Sequence, residues 1–556
     1  MSRLLVRRLS GLLGALALAA LLAAAPAAAQ TFTVNNLTDS GVAGDGSLRG
    51  EVRAANADPG PDKIEFAPAL SGLIVIGGTG LVIEEALDIE GPGPGQITVE
   101  QNTSGRRVFQ IKLGEAGAVT LAGLTMRGGD SEGPGGDIEN APGPLSTLTV
   151  SNCRVIYGYA AEAGGGIDSI GQPLIVRSSL IAENESAESG GGIWAGGSQP
   201  LTIEDSTIEG NIAIDGGGGL YGSSEPGTGT VITGSTFARN RAQLAGGGAN
   251  LLIDGGAHLT IANSTFFGNV TGTWGGGIVL ATIGPSTIEG STITGNLAEA
   301  SFNGAGGLEN FGPAAAGLVD TIVAGNKSRH TTWQDIAGPW NSAFSLIGDP
   351  TGATLTETVP GSDLIGVDPQ LGPLQDNGGP TATMALPPTS PAVNKGGGSL
   401  TTDQRGEPRP SIFPGVALSA APGANGADIG AYELQAPPPN SPPTPPPSPP
   451  VAPRHLRVRV RCPKSAKPDG CRFALQAVSA KPREIGNGRH RHRILPKPES
   501  AVARVKLGAG RSALVTLKPK ARFAHRLEAA ANVLVREVAT VNGTAHTDYR
   551  RLKVVG

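Results

Sequence analysis

Along the middle of the chain, apolar and polar positions recur at fixed offsets from a repeating asparagine. Six copies read approximately L-x-I-x-x-S-T-I-x-x-N, then G-G-G and an aliphatic residue; their asparagines are Asn184, Asn211, Asn240, Asn269, Asn296 and Asn326, 27 to 30 residues apart. Three residues before each stands a large apolar side chain (Ile181, Ile208, Phe237, Phe266, Ile293, Val323). Five before stands a small one (Ser179, Ser206, Ser235, Ser264, Ser291, Thr321). Residues two apart on a strand share a face, so both columns are expected to point inward. Cys153 and Val155 continue the columns one coil upstream, with Gly158 in place of the asparagine.

One copy is too short to enclose a core, and its runs are rich in Ile, Val and Thr without a helical period. Stacked copies bury a continuous column of like residues. The predicted fold class is all-β: a right-handed parallel β-helix with three short strands per coil and coils about 4.8 Å apart. The asparagines are expected at a corner, where they tolerate a left-handed backbone and ladder their amides from coil to coil. The triplets Gly164 to Gly166, Gly190 to Gly192, Gly217 to Gly219, Gly246 to Gly248 and Gly275 to Gly277 mark a second bend, where a side chain obstructs the turn or a close backbone approach. None follows a strand to open a helix, which argues against a phosphate-binding loop.

Outside the repeats, the first 29 residues read as an export signal: Arg3, Arg7 and Arg8, an apolar stretch from Gly11 to Ala25, then Ala27-Ala28-Ala29. No later run reaches the roughly 18 apolar residues of a membrane helix. Residues 436–453, APPPNSPPTPPPSPPVAP, have the composition of an extended polyproline spacer. Charge divides across it. Residues 454–556 carry 24 Lys/Arg against 6 Asp/Glu, whereas residues 30–453 carry 16 against 41, a net of −25. The basic part contains alternating runs (HLRVRVRC, CRFALQAV, AVARVKL, SALVTLKP, VLVREVATV) and a short helical candidate near Ala524 to Ala531. It is expected to form a small antiparallel β-sandwich. Cys462 and Cys471 flank a turn-like KPDG and are a candidate disulfide. Cys153, in a serine position, reads as a buried core residue.

Thr38 to Pro68 contains GDGSLRGEV and resembles the CSLREA-type segment that precedes bacterial surface β-helices. DPQLGPLQDNGGPT, SPAVNKGG, TDQRGEPRP and ADIGAYEL, in that order, resemble the choice-of-anchor Q segment. The resemblance spans about residues 31 to 435. It implies an exported, pectin-lyase-like β-helix of secreted or surface proteins and supplies no catalytic residues. The expected organisation is a signal (1–29), a β-helix (30–367), its choice-of-anchor Q-like terminal segment (368–435), a linker (436–453) and a basic β-rich domain (454–556).

Candidate chemistry is sparse. His258 and His330 are the histidines of the β-helix region, and neither sits in a triad or metal-type spacing. Two columns stand out. Glu162, Glu188 and Asp215 occupy equivalent positions on adjacent coils, where crowded carboxylates are candidates for calcium. Asp168, Trp194, Tyr221, Asn250, Val279 and Glu309 form a second, outward column, in which Trp194 and Tyr221 form a candidate sugar-stacking platform, flanked by Asp168 and Asn250. Asp168 and Glu309 lie five coil steps apart, about 24 Å, too far for a glycosidase pair, which needs roughly 5 to 10 Å. In the basic domain, Arg489, Arg491 and Arg493 are candidates for binding a polyanion. Few aromatics are available for base stacking, which disfavours nucleic acid. The leading expectation is a non-catalytic rod that presents a binding surface to polysaccharide or cell-envelope polymer and is held there by its basic domain. The alternative is a calcium-assisted polysaccharide lyase on the same β-helix.

Overall fold

A computed structural model describes residues 29–299, 304–329, 332 and 334–436, together with the strands of the segment beyond residue 455. Residues 31–365 wind into a right-handed parallel β-helix. Each repeating coil passes through three faces. The A face holds strands such as Leu201–Glu204, the B face short strands such as Thr207–Glu209, and the C face strands such as Leu220–Ser224. A two-residue corner strand, as at Ile212–Ala213, joins the B face to the C face. The B face stacks twelve parallel strands, from Gly72–Ile76 to Leu364–Ile365.

The register is that read from the repeat. Val155, Ile181, Ile208, Phe237, Phe266, Ile293 and Val323 are consecutive partners on the B face and all fully buried. Phe237 and Phe266 stack with ring centroids 4.6 Å apart and planes 9° from parallel. The serine column also does more than fill space. Each hydroxyl accepts the backbone N–H of the equivalent residue one coil earlier, as Ser206 Oγ does from Ser179 N (3.2 Å) and Ser235 Oγ from Ser206 N (3.2 Å).

The asparagines form the expected ladder. Asn240 Oδ1 accepts both the backbone N–H and the Nδ2 of Asn211 at 3.0 Å, and Asn240 Nδ2 donates to Ile208 O (2.9 Å) and to Asn269 Oδ1 (3.0 Å). The same pattern runs from Asn184 to Asn326, where Asp335 Oδ1 ends it by accepting from Asn326 N and Nδ2. One expectation is corrected: the repeat asparagines are not themselves left-handed. That conformation falls on the residue before each, Glu183, Gly210, Arg239, Gly268, Gly295 and Gly325. The amide therefore points into the fold while its neighbour makes the turn.

The glycine triplets serve three separate needs, shown by Gly217 to Gly219. Gly217 has φ +68°, a backbone that side chains resist. A Cβ on Gly218 would meet Gly247 O at 2.5 Å, and one on Gly219 would lie 3.0 Å from the Asn240 amide. The third glycine is thus hemmed in on two sides, most closely by the Gly248 carbonyl of the next coil at 2.6 Å and then by the ladder amide.

At the N-terminal end the helix α1 (Leu48–Ala55) packs against the first coils. Ser47 is its N-cap and accepts from Gly50 N. Arg49 pairs with Asp39 at 2.7 Å and donates to the carbonyls of Gly77 and Gly80; Glu51 accepts from Gly46 N. The SLR core of the resembling motif thus joins helix to solenoid.

Beyond Ile365 the chain stops adding coils and folds back along the B face. Thr381 Oγ1 donates to Gly234 O, Gln404 Nε2 to Thr236 Oγ1, and Thr265 Oγ1 to Gln404 Oε1. Gly397 and Gly398 donate to Asp320, and Ala431 to Thr292 Oγ1. A second apolar core forms beneath this strap from Ile322, Ala324, Leu346, Leu386, Ala392, Val393 and Ile429. Its sequence blocks are tied to one another by buried polar groups: Asp428 Oδ1 accepts from Asn394 N, Asp403 Oδ2 from Glu433 N, and Arg409 pairs with Glu433.

The compact unit ends at Pro438. In the second unit, all five alternating runs are strands. Ala503–Leu507, Cys471–Val478, Asn532–Val541 and Thr544–Lys553 form one antiparallel sheet, and Leu456–Arg461 pairs with Ser512–Leu517. The expected helix near Ala524 to Ala531 lies outside the described residues.

The ladder sets a stability prediction. Asn240→Ala leaves two buried N–H groups of Asn211 without their acceptor and is expected to cost roughly 3 kcal/mol. Substitution of the exposed Glu188 by Ala stays within about 0.5 kcal/mol. Urea unfolding of both variants is the measurement, and equal stabilities would remove the ladder from its central place.

Candidate ligand-binding face

The outward column of the C face is continuous over ten coils. Val82, Gln110, Glu139, Asp168, Trp194, Tyr221, Asn250, Val279, Glu309 and Ala337 are successive strand partners. Trp194 and Tyr221 therefore stand side by side, one coil step apart, as the repeat predicts. They are half-buried rather than open, because the corner backbone folds up beside them: a Cβ on Gly190 would lie 2.8 Å from Trp194 Cβ. Asn250 is also half-buried, and Asp168 is completely enclosed.

Asp168 is unusual for a fully buried carboxyl. Neither of its oxygens has a hydrogen-bond partner, and the Nε1 of its strand partner Trp194 is likewise buried and unpartnered. Burial pushes the Asp168 carboxyl well above the usual carboxylate range. The charges of Glu139 and Glu162 add to this and Arg107 opposes it. Glu139 is held by an ion pair to Arg107 (2.5 Å) and accepts from Gln110 Nε2 (2.7 Å). A cavity of about 250 Å³ lies over this upstream end, lined among others by Val82, Arg107 and Gln110.

Downstream, Trp274 and Phe311 meet edge to face at 5.6 Å, and Phe311 is exposed. Glu309, nearly enclosed, accepts from Ala305 N and is pushed up to about 7 by burial. Repeat reasoning missed Gln110 and Glu139, although Gly135-Gly136-Asp137 is a degenerate triplet that places Glu139 in register. A larger cavity, about 420 Å³, lies elsewhere, where the strap leaves the last coils beside Thr294, Ala324, Val367 and Met384.

The three carboxylates considered for calcium are aligned but not clustered. Glu162, Glu188 and Asp215 do stand at equivalent positions, each three residues past the paired corner residues Tyr159, Glu185 and Ile212. All three are exposed at the corner, and among the described residues no group of three His, Cys, Asp or Glu side chains is arranged to hold a metal ion. Cys153 is buried and its thiol is pushed up to about 12 by burial, in keeping with a core residue. His330, Cys462, Arg489 and Arg491 lie outside the described residues; Cys471 and Arg493 stand in the strands Cys471–Val478 and His492–Ile494.

A family model described as a right handed beta helix region matches residues 171–311. Among solved structures, the chain is similar to the Azotobacter vinelandii mannuronan C-5 epimerase AlgE4 A-module, at 12% identity and a TM-score of 0.25, covering 61% of this chain and 98% of that one. It is also similar to ORF18 of Geobacillus virus E2, at 10% identity and a TM-score of 0.26, covering 59% and 62%. No match was found among curated proteins.

Glu309 carries a pH prediction. Its folded value, about 7 against the ordinary 4.5, means that the folded state retains a proton the unfolded chain has released. Its contribution to stability is complete below about pH 4.5 and is lost as pH rises toward 7. Thermal melting of the wild type and of Glu309→Gln across that window is expected to show a steeper decline in the wild type, and parallel curves would contradict the assignment.

Proposed function

We propose that this protein is a non-catalytic, exported β-helix that binds an extended carbohydrate along its C face, held at the cell surface or in a matrix by its basic C-terminal domain. The observation that carries the reading is the juxtaposition of Trp194 and Tyr221 on neighbouring coils, with Asn250 on the next. Flat aromatic faces beside an amide donor and acceptor match the apolar faces and hydroxyls of pyranose rings. The platform spans the three coils of Trp194, Tyr221 and Asn250, bounded by the buried Asp168 on one side and Val279 on the other. The opposed charges of residues 30–453 and 454–556 support separate tasks for the two parts, binding in the first and attachment to an anionic envelope polymer in the second.

A catalytic reading has one observation in its favour. Glu139 and Asp168 are carboxyl groups on adjacent coils in different surroundings, one paired with Arg107 and the other enclosed without partners. Asp168 has no exposed surface, so no substrate touches it in this conformation. Binding without turnover is therefore the expected behaviour.

Titration against a panel of soluble glycans is expected to give binding that Trp194→Ala weakens by roughly 2 kcal/mol, about thirtyfold in Kd, with no new reducing ends or unsaturated products. Product formation lost in Asp168→Asn would replace this reading with the enzymatic one. Deleting residues 454–556 is expected to release the protein from cell-wall material at low salt, and unchanged retention would remove the anchoring role.

A further inference from the structure

The second unit divides its charge by strand face. Ala503–Leu507, Cys471–Val478, Asn532–Val541 and Thr544–Lys553 lie in that order in one antiparallel sheet, and cross-strand partners share a face. The register therefore puts Arg504, Lys506, Arg472, Arg536, Arg551 and Lys553 on one face. Among the described residues of this sheet, no carboxylate shares that face: Glu537 and Asp548 are partners of each other and fall on the opposite one with Leu475. The opposite face also takes Phe473, Val505, Leu507, Val533 and Val535. An antiparallel sheet divided in this way packs its apolar face and leaves the other to water.

Two further observations set this face apart from an ordinary charged surface. Lys506 and Arg472 are direct cross-strand partners, about 5 Å apart. Like charges so placed weaken a strand pair, and an anion lying across both removes that cost. The two-stranded sheet repeats the division, with Arg457, Arg459 and Arg461 on one face and Leu456, Val458 and Val460 on the other. By contrast Arg493, one of the three arginines of the RHRHR cluster, has the acidic Glu484 as its cross-strand partner.

We infer that the attachment site of the basic domain is this sheet face, not the RHRHR cluster, and that its ligand is a linear polymer of phosphodiesters. This rests on the anchoring role proposed above and names its surface and ligand class. Arg472 and Arg551 stand six residues apart in register, about 20 Å along the strands, so the cations fit a chain of anions rather than one. Four of the six are arginines, whose planar fork matches phosphate oxygens in pairs. Among the described residues Tyr549 is the one aromatic on this face, which leaves little for the stacking of bases or sugar rings.

Titration of the full chain with polyglycerol phosphate, polygalacturonate and polyuridylate over a range of salt concentrations is the test. Polyglycerol phosphate is expected to bind most tightly. Changing all six sheet-face cations to Gln is expected to flatten the plot of log affinity against log salt by about 0.7 per cation, roughly 4 in all. The pair Arg472→Gln, Lys506→Gln is expected to weaken binding about tenfold without lowering the melting temperature, which separates a lost contact from a lost fold. The triple variant Arg489→Gln, Arg491→Gln, Arg493→Gln is expected to lose less than either. A slope that the six changes leave intact, or a triple variant that loses as much, overturns the inference and leaves the anchoring role standing. Tighter binding of polygalacturonate or polyuridylate overturns the ligand class, and binding of none of the three overturns the anchoring role as well.

Discussion

The constraint on which this structure depends is the rung-to-rung hydrogen bond made by identical buried side chains. Each repeat asparagine from Asn211 on satisfies two N–H groups of the preceding coil and donates to a carbonyl of that same coil, so a corner that would otherwise bury unmatched peptide groups is closed. Serine hydroxyls do the same at the other end of the B strand. With both corners occupied, the short strands between them have one register available, and the stacked Ile and Phe column follows. The third glycine of each triplet lies against both the ladder amide and, more closely, the backbone carbonyl of the next coil, and no side chain fits between them.

That dependence explains why so much of the fold was legible from the residues. A ladder of like side chains requires the same residue at the same place in every coil, and such repetition is visible along the chain. Ile181 to Val323, Ser179 to Thr321 and the pairing of Trp194 with Tyr221 were all readable for this reason. The left-handed residue was misplaced by one position because asparagine's tolerance of that backbone and its usefulness as a ladder residue point to the same letter. Only geometry separates them, giving the turn to residues as unlike as Glu183, Arg239 and Gly268.

Features that do not repeat were hidden. The strap reaches coils about 140 to 170 residues earlier in the chain, as between Gln404 and Thr236, through contacts that no period announces. The enclosure of Asp168 and the half-burial of Trp194 depend on how the corner folds over the C face, which residue spacing does not encode. The same limit applies to the carboxylates at Glu162, Glu188 and Asp215. Spacing puts them in line, but whether their side chains converge on a cation or stand apart in solvent is decided at the corner, and they stand apart.

The strap has a mechanical consequence. The tail beyond residue 436 joins a strap whose Gly430 and Ala431 are bonded to Asp320 and Thr292, in coils inside the final one at Leu364–Ile365. Force applied there must displace Ile429 from its seat in the cluster that holds Ile322, Leu386 and Val393 before any rung can peel away. A solenoid whose units unravel most easily from their ends is in this way gripped where it is doubly covered, with its last turns packed on the same cluster through Leu346 and Leu364.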